Sequence, residues 1–359
     1  MKSDNRGGIP LLIIANALVC GVIGLTFGML TGSLLLWLPG SLLVGAITGV
    51  LTEVLFSRLR THAGLYRRRM LILVLVEVLL TVYVVIPIYA ADRNVHPIRF
   101  PASLTPADLG LPYENVTLKT QDGLTLAGWY IPSHNGAAII AVHGFNGNRT
   151  HVIYHAQALA EHGYGVLAFD MRAHGESGGD RFAAAWNSDL DVLAAVDYLQ
   201  HRPDVQPGRI GALGLSAGAH AIIYGAARSD AIKALWVDGA DAGRLEDAIN
   251  PFLPEIRPFW FMTPMVWLTD RLVELFSGTR AAPPIRDQVT RIAPRPILFV
   301  AAGKAQYEIP MARRYAAYAG PTAQVWELPE DNHIAGMFTH PQEYAQRMIA
   351  FFDAGLPGK

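Results

Sequence analysis

The stretch Gly214-Leu215-Ser216-Ala217-Gly218 decides the fold and the chemistry that this sequence encodes. It closes a short apolar run at 210–215, typical of a strand buried on both faces, and opens a helical stretch at 217–228. A serine between two glycines at a strand-to-helix turn is typical of a nucleophile elbow, where small residues let helix and strand approach closely. The helix amino terminus also favours negative charge developing beside the serine. The pattern therefore predicts that Ser216 is a nucleophile.

Other strand-length and helix-length segments surround this motif. Two segments that alternate apolar and polar residues flank Asp122-Gly123 and predict an antiparallel hairpin at 115–120 and 124–131. Mostly apolar runs of strand length follow at 137–142, 165–169, 210–215, 232–237, 296–300 and 323–328. Helical stretches lie between them, for example at 151–162, 186–201 and 217–228. This alternation predicts a doubly wound, mostly parallel α/β sheet.

The amino-terminal quarter of the chain differs from the rest in composition. No Asp, Glu, Lys or Arg occurs from Gly7 to Thr52, which is long enough for two membrane spans of about 20 residues each. Apolar residues make up 51% of the whole chain and charged residues only 16%, which also favours membrane spans. We therefore expect three transmembrane helices, at about 9–30, 33–54 and 70–90. A proline-rich linker at 91–113 and one large domain at 114–359 are expected to follow.

Arginine residues indicate how these spans are oriented. Arginines occupy positions 58, 60, 67, 68 and 69, between the second and third predicted spans, whereas the charges after the third span nearly cancel. The positive-inside rule places this loop in the cytoplasm. Three spans then make the chain a multi-pass integral membrane protein whose large domain lies outside the cytoplasm. If the first apolar run is a single span or a re-entrant loop, the predicted side reverses.

Net charge and cysteine content exclude several classes of protein. A formal net charge of -1, with no basic face or run outside the membrane-proximal segment, argues against nucleic-acid binding. The single cysteine, Cys20, cannot form an intrachain disulfide or a cysteine-based metal cluster. Acyl transfer through a serine nucleophile, for which Ser216 is the candidate, needs neither a metal nor an organic cofactor.

A second glycine-containing turn precedes the serine motif. The run His143-Gly144-Phe145-Asn146-Gly147 closes the predicted strand at 137–142. A backbone amide at this position can share a developing oxyanion with the amide that follows the nucleophile. The sequence therefore predicts an oxyanion hole made by the amides of Phe145 and Ala217, with His143 as a structural residue.

These motifs, together with the turn Asp170-Met171-Arg172-Ala173-His174-Gly175-Glu176-Ser177, resemble the α/β-hydrolase superfamily over residues 114–354. Their order is similar to that of membrane-anchored serine hydrolases within it. The resemblance implies an α/β-hydrolase fold with a cap insertion. It also implies that Arg172 and His174 are structural loop residues.

The general base is expected near the carboxyl terminus, because the superfamily's chain order is serine, acid, histidine. His333 follows the predicted strand at 323–328 and is our candidate. His340 is the alternative, although it directly precedes Pro341 at an expected helix start. The base takes the proton from the serine and later delivers it to the leaving group.

The acidic member of the triad departs from the family pattern. Gly303 and Ile309-Pro310 match the loop that carries the acid in relatives, but Gln306 stands where they have Asp. A glutamine cannot stabilise an imidazolium by charge. Glu308, two residues on, can do so, and Asp238 at the end of the sixth strand is the alternative acid.

A long insertion at 243–291 is expected to form the cap, and its large apolar residues can line an acyl pocket, face a bilayer or simply pack onto the domain. The preferred function is hydrolysis of a carboxylic ester or thioester, small or lipid-like, through an acyl-serine intermediate without a cofactor. A serine peptidase uses the same constellation. A noncatalytic membrane scaffold that kept the fold is the other alternative.

Overall fold

The computed structural model describes residues 79–249, 257–305 and 307–358, with Ile47, Gly49, Val50 and Val76. The span predicted at 9–30 therefore lies outside the described residues, and so does the span at 33–54 except for Ile47, Gly49 and Val50. The span predicted at 70–90 is described at Val76 and from residue 79 onward. Within the described ranges, no helix has both the length and the apolar character needed to cross a bilayer.

The first described helix ends later than the sequence predicts. One π-helical turn, Thr81–Val85, leads into α1, Ile86–Val95. The linker expected to begin at residue 91 is therefore helical over its first five positions. The helix stops before Pro97, because a proline disfavours helical backbone in the residue that precedes it. A short 3-10 turn, Pro106–Leu109, also interrupts the linker.

A compact unit begins at Asn94 and runs to the end of the chain. Its centre is an eight-stranded sheet in the order β1-β2-β4-β3-β5-β6-β7-β8. The strands are Glu114–Lys119, Thr125–Ile131, Ala138–Val142, Gly165–Phe169, Ile210–Leu215, Ile232–Asp238, Ile297–Ala302 and Ala323–Leu328. Strand β2 pairs antiparallel with β1 and β4, and every other pairing is parallel. The predicted doubly wound α/β fold is confirmed.

Helices follow most strands of the parallel part of the sheet. Helices α2 to α4 are Ile153–Glu161, Asp189–Gln200 and Ala217–Ala226, and helices α8 to α10 are Glu308–Ala319, Gly336–Thr339 and Pro341–Gly355. Residues of β3, β4 and β5 are all buried. Burial on both faces explains why these strands read as continuous apolar runs.

The insertion between β6 and β7 contains several helical segments among its described residues. It contains α5, Leu245–Ile249, a 3-10 segment, Arg257–Met262, and helices α6, Thr263–Ser277, and α7, Ile285–Ile292. Several large apolar side chains of this predicted cap are exposed, namely Trp260, Phe261, Met262, Trp267 and Leu275.

A buried ion pair secures the loop that follows β4. Arg172 is 2% exposed, and its guanidinium donates to Asp191 of α3, which is fully buried, at 2.7 and 2.9 Å. The backbone N–H of Arg172 donates to the other oxygen of Asp191 at 2.9 Å. Asp122, partly exposed, accepts from the same guanidinium at 2.8 Å. The loop therefore has a defined position beside the carboxyl ends of the strands.

Removing Asp191 should destabilise the domain, because it leaves the buried charge of Arg172 with only a partly exposed partner. We expect Asp191→Ala to lower the free energy of unfolding by about 3 kcal/mol, the lower end for breaking a buried pair. Urea denaturation followed by tryptophan fluorescence measures this change. Asp197→Ala is the matched control on the same helix, because Asp197 is 77% exposed and pairs with His201 at the surface. Exposed ion pairs of this kind contribute at most about 0.5 kcal/mol. Equal effects of the two variants would contradict the prediction.

Candidate active site

Ser216 occupies a sharp turn between β5 and α4. Its φ of 53° and ψ of −115° place it outside the regions that non-glycine residues ordinarily adopt. Its backbone N–H donates to the carbonyl of Asp238 at 2.8 Å. Such strain persists only where the surroundings enforce it, and it is typical of functional sites.

The two glycines of the motif make this turn possible. A Cβ atom on Gly214 would lie 2.3 Å from the carbonyl oxygen of Gly218. A Cβ atom on Gly218 would lie 2.4 Å from the carbonyl oxygen of Val142, at the end of β3. Neither backbone carbonyl can move without displacing a strand or helix. Only glycine therefore lets α4 start directly against β3 and β5.

The turn after β3 lies against the serine. Gly147 donates its N–H to the carbonyl of Gly144 at 3.1 Å, and Asn146 has a φ of 54°. A Cβ atom on Gly144 would contact the Cβ of Ser216 at 3.4 Å. In the described part of the chain, the amides of Phe145 and Ala217 donate no hydrogen bond to another backbone group. The two predicted oxyanion donors are thus brought to the same turn region.

Two histidines near this turn have structural partners. The Nε2 atom of His143 accepts from the N–H of Met171 at 3.0 Å, and its Nδ1 lies 2.7 Å from the carbonyl of Gly144. Burial lowers the pKa of His143 to about 4. The ring is therefore neutral, and it joins the turn after β3 to the loop after β4. Burial also lowers the pKa of His174, to about 3.

His333 and Glu308 form a direct side-chain pair. The Nδ1 atom of His333 hydrogen-bonds Oε1 of Glu308, and Oε2 of the same carboxylate accepts from the N–H of Ala302 at 2.9 Å. Glu308 is 3% exposed and is the first residue of α8, where the helix dipole stabilises a carboxylate. The hydrogen bond to Glu308 raises the pKa of the His333 imidazole above its ordinary value.

Asp238, the alternative acid, points into the core instead. Its Oδ2 accepts from the hydroxyl of Tyr344 at 2.7 Å, and that hydroxyl accepts from the indole N–H of Trp236 at 2.7 Å. Burial raises the pKa of Asp238 to about 7. No hydrogen bond joins Asp238 to His333 among the described side chains. The structure therefore brings Glu308, and not Asp238, to the predicted base.

Ser216 and His333 both lie near the carboxyl ends of β5 and β6. Ser216 is bonded to the backbone of Asp238, and a Cβ atom on the next residue, Gly239, would lie 2.8 Å from Cε1 of His333. No hydrogen bond links the Ser216 hydroxyl to the imidazole within the described residues. Catalytic hydrogen bonds often form only when substrate is bound. His340, the alternative base, faces Asp331, with Nε2 and Oδ1 3.3 Å apart.

A cleft of about 250 Å³ opens beside His333. Its lining residues are Asp241, Ala305, Tyr307, Glu308 and His333. Asp241 and Tyr307 were not predicted as site residues. They follow β6 and β7, and only this position at the carboxyl ends of the strands, where parallel sheets bind ligands, could have indicated them. Gln306 lies outside the described residues. In the described ranges, no group of three or more His, Cys, Asp or Glu residues is arranged to hold a metal ion.

Comparison with known proteins agrees with this architecture. The family model described as the alpha/beta hydrolase family matches residues 139–347. The chain therefore belongs to this family.

Individual relatives extend the comparison. The uncharacterized protein YfhR of Escherichia coli is 29% identical over 254 residues, which cover 68% of this chain and 81% of that protein. Thiohydrolase aneE of Aspergillus aculeatus is 39% identical over 115 residues, 31% of this chain and 36% of its own length. The structure of the Pyrococcus furiosus esterase PF2001 is 24% identical and has the same fold, with a TM-score of 0.60 over 73% of this chain and 98% of that chain.

The Glu308–His333 pair predicts a specific pH dependence. A base must be neutral to accept a proton, so activity should fall as pH decreases through the raised pKa of His333. Glu308→Gln removes the cause of the raised pKa, and the acidic limb of kcat/KM should move to lower pH. Turnover should also fall by on the order of 10⁴, the typical loss when the acidic partner of such a histidine becomes an amide.

Asp238→Asn is the control, because this carboxyl bonds Tyr344 rather than the imidazole. We expect it to change thermal stability more than turnover and to leave the acidic limb near its original position. Gln306→Ala should be mild. An inactive Asp238→Asn beside a nearly normal Glu308→Gln would place the acid after β6.

Proposed function

We propose that this chain is a serine hydrolase that cleaves a carboxylic ester or thioester through an acyl-serine intermediate. The observation that carries the proposal is that the strained turn at Ser216 and the histidine paired with a carboxylate, His333, lie at neighbouring strand ends. Both lie at the carboxyl ends of β5 and β6, since Ser216 bonds the backbone of Asp238 and His333 packs on Gly239.

The proposed mechanism uses each of these groups in turn. The Ser216 oxygen attacks the acyl carbon while Nε2 of His333 takes the hydroxyl proton. Glu308 holds Nδ1, so the imidazole keeps the required tautomer, and its charge stabilises the imidazolium. The amides of Phe145 and Ala217 donate to the oxyanion. His333 then protonates the leaving alcohol or thiol, and a water molecule, deprotonated by the same imidazole, releases the acid and restores the serine.

The substrate class rests on the relatives and on the exposed residues of the cap. One relative is named a thiohydrolase and a protein of the same fold is named an esterase, which supports an oxygen or sulfur leaving group. The exposed aromatic residues of the cap favour an apolar acyl group.

Covalent labelling tests the nucleophile most directly. A fluorophosphonate probe should label the intact wild-type chain, and Ser216→Ala should abolish both labelling and ester hydrolysis while thermal stability stays close to that of the wild type. Triad removal typically lowers turnover by on the order of 10⁴–10⁶. His333→Ala should have nearly the same effect, with His340→Ala as the matched control. Persistent labelling of Ser216→Ala would mean that another serine is the nucleophile.

We also propose that the amino-terminal region anchors the enzyme in a membrane, with the hydrolase domain outside the cytoplasm. The support is the uncharged stretch from Gly7 to Thr52 and the arginine-rich loop at 58–69. A reporter enzyme that is active only outside the cytoplasm should be active when fused after Lys359. The same reporter inserted into the loop at 58–69 should be inactive. The reverse result would place the hydrolase domain in the cytoplasm.

A further inference from the structure

Val95, the last residue of α1, and residues 96–104, which lead to the 3-10 turn at Pro106–Leu109, form the segment that we call the strap. The strap runs across the turn that carries the predicted oxyanion donor Phe145. Backbone N–H of Ile98 donates to Oδ1 of Asn146 at 3.0 Å. The side-chain amide of Asn148 donates to the carbonyls of Phe100 and Pro101, at 3.1 and 3.2 Å. Two asparagines of one turn therefore bind the main chain of the strap.

Both asparagines also shape the turn itself. Asn146 has a φ of 54°, a conformation that asparagine tolerates better than most residues. Oδ1 of Asn148 accepts from the N–H of Thr150 at 2.8 Å and caps the 3-10 segment Arg149–Val152. The same two asparagines thus stabilise the turn and also hydrogen-bond the main chain of the strap. A displaced strap would release one hydrogen bond next to Phe145 and two from Asn148.

A second route connects the strap to Phe145 through aromatic packing. The carbonyl of Val95 accepts from the N–H of Phe182 at 2.9 Å. The Phe182 ring contacts the rings of Phe145 and His174, with centroids 5.8 and 4.5 Å apart. The guanidinium of Arg99 also donates to the carbonyl of Ser177 at 2.8 Å. The strap therefore also binds Phe182, whose ring packs against Phe145, and the loop at Ser177.

The strap is bound mainly by polar contacts. Val95 is fully buried, but the large apolar side chains beyond it are substantially exposed, at 41% for Ile98, 49% for Phe100 and 36% for Leu104. Losing its hydrogen bonds therefore leaves the hydrophobic core of the sheet covered. An oxyanion hole, by contrast, depends strongly on geometry, because a donor acts only when its N–H points at the developing charge. A displacement of about 1 Å can cost on the order of 10²-fold in rate.

We propose that the strap is a positioning element which aligns the amide of Phe145 for transition-state stabilisation. This inference rests on the proposed function. Asn146 and Asn148 are positioning residues in this scheme, since they act through the Phe145 amide.

Two variants of the full-length chain separate the strap contacts from the turn. Asn148→Asp keeps the oxygen that caps Thr150 but removes the amide donor to the strap. Asn146→Gly keeps the positive φ at no steric cost but removes the acceptor for Ile98. Asn135→Asp is the matched control, because Oδ1 of Asn135 accepts from Ala137 at 2.9 Å, at the opposite end of β3.

The measurements are kcat and KM for a soluble ester, the inhibition constant of a trifluoromethyl ketone that forms a tetrahedral serine adduct, and the melting temperature. For Asn148→Asp and Asn146→Gly together, kcat/KM should fall on the order of 10- to 100-fold, mainly through kcat. The trifluoromethyl ketone should bind more weakly by the same factor, because it resembles the transition state. Asn135→Asp should match the wild type in both.

Arg99→Ala provides an independent test on an exposed residue of the strap and should weaken the ketone in the same direction. The role of the strap would be overturned if kcat/KM were unchanged in these variants. It would also be overturned if their melting temperature fell while the ketone bound as tightly as before. A wild-type chain inert to both ester and fluorophosphonate would overturn the proposed function and the role of the strap with it. Active variants beside an active wild type would overturn the role of the strap alone.

Discussion

The close approach of α4 to the ends of β3 and β5 is the constraint on which the rest of this structure depends. With a side chain at Gly218, a carbon atom would lie 2.4 Å from the carbonyl of Val142, far inside van der Waals contact. Without this contact the helix could not start at Ala217, and Ser216 would not stand on a turn with positive φ. The position of the serine hydroxyl, the direction of the Ala217 amide and the proximity of the turn after β3 all follow from two missing Cβ atoms.

Around this turn, buried acidic groups are distinguished by their partners. Glu308 has an imidazole on one oxygen and a backbone N–H on the other, so its charge is compensated in two directions. Asp238 has the Tyr344 hydroxyl on one oxygen, and burial raises its pKa to about 7. Two fully charged carboxylates so near each other would be costly in a low-dielectric site. Burial, together with the charge of Glu308, therefore weakens the ionisation of Asp238.

The loops at this edge of the sheet also support one another. His143 joins the turn after β3 to the loop after β4, and Arg172 ties that second loop to α3. The strap adds a third connection from outside the sheet, through Asn146 and Asn148. A site assembled from several loops on a rigid sheet can change its substrate by changing the cap, because fold alone does not determine function. Membership of the alpha/beta hydrolase family is accordingly a statement about architecture and a class of chemistry.

The sequence by itself determined the sheet, because the alternating segments of the predicted hairpin matched β1 and β2, and the runs of strand length matched β3 to β8. It also singled out Ser216 and His333, since a strand-to-helix glycine motif and chain order are local features. The sequence preferred Glu308 to Asp238 because its loop matches the family pattern, but it could not show which carboxylate faces the histidine, since both acids lie near strand ends. Only the tertiary structure, through the backbone directions after β6 and β7, turned one carboxylate toward the imidazole and the other into the core. The strap likewise depends on contacts between residues about 48 positions apart, which periodicity does not encode.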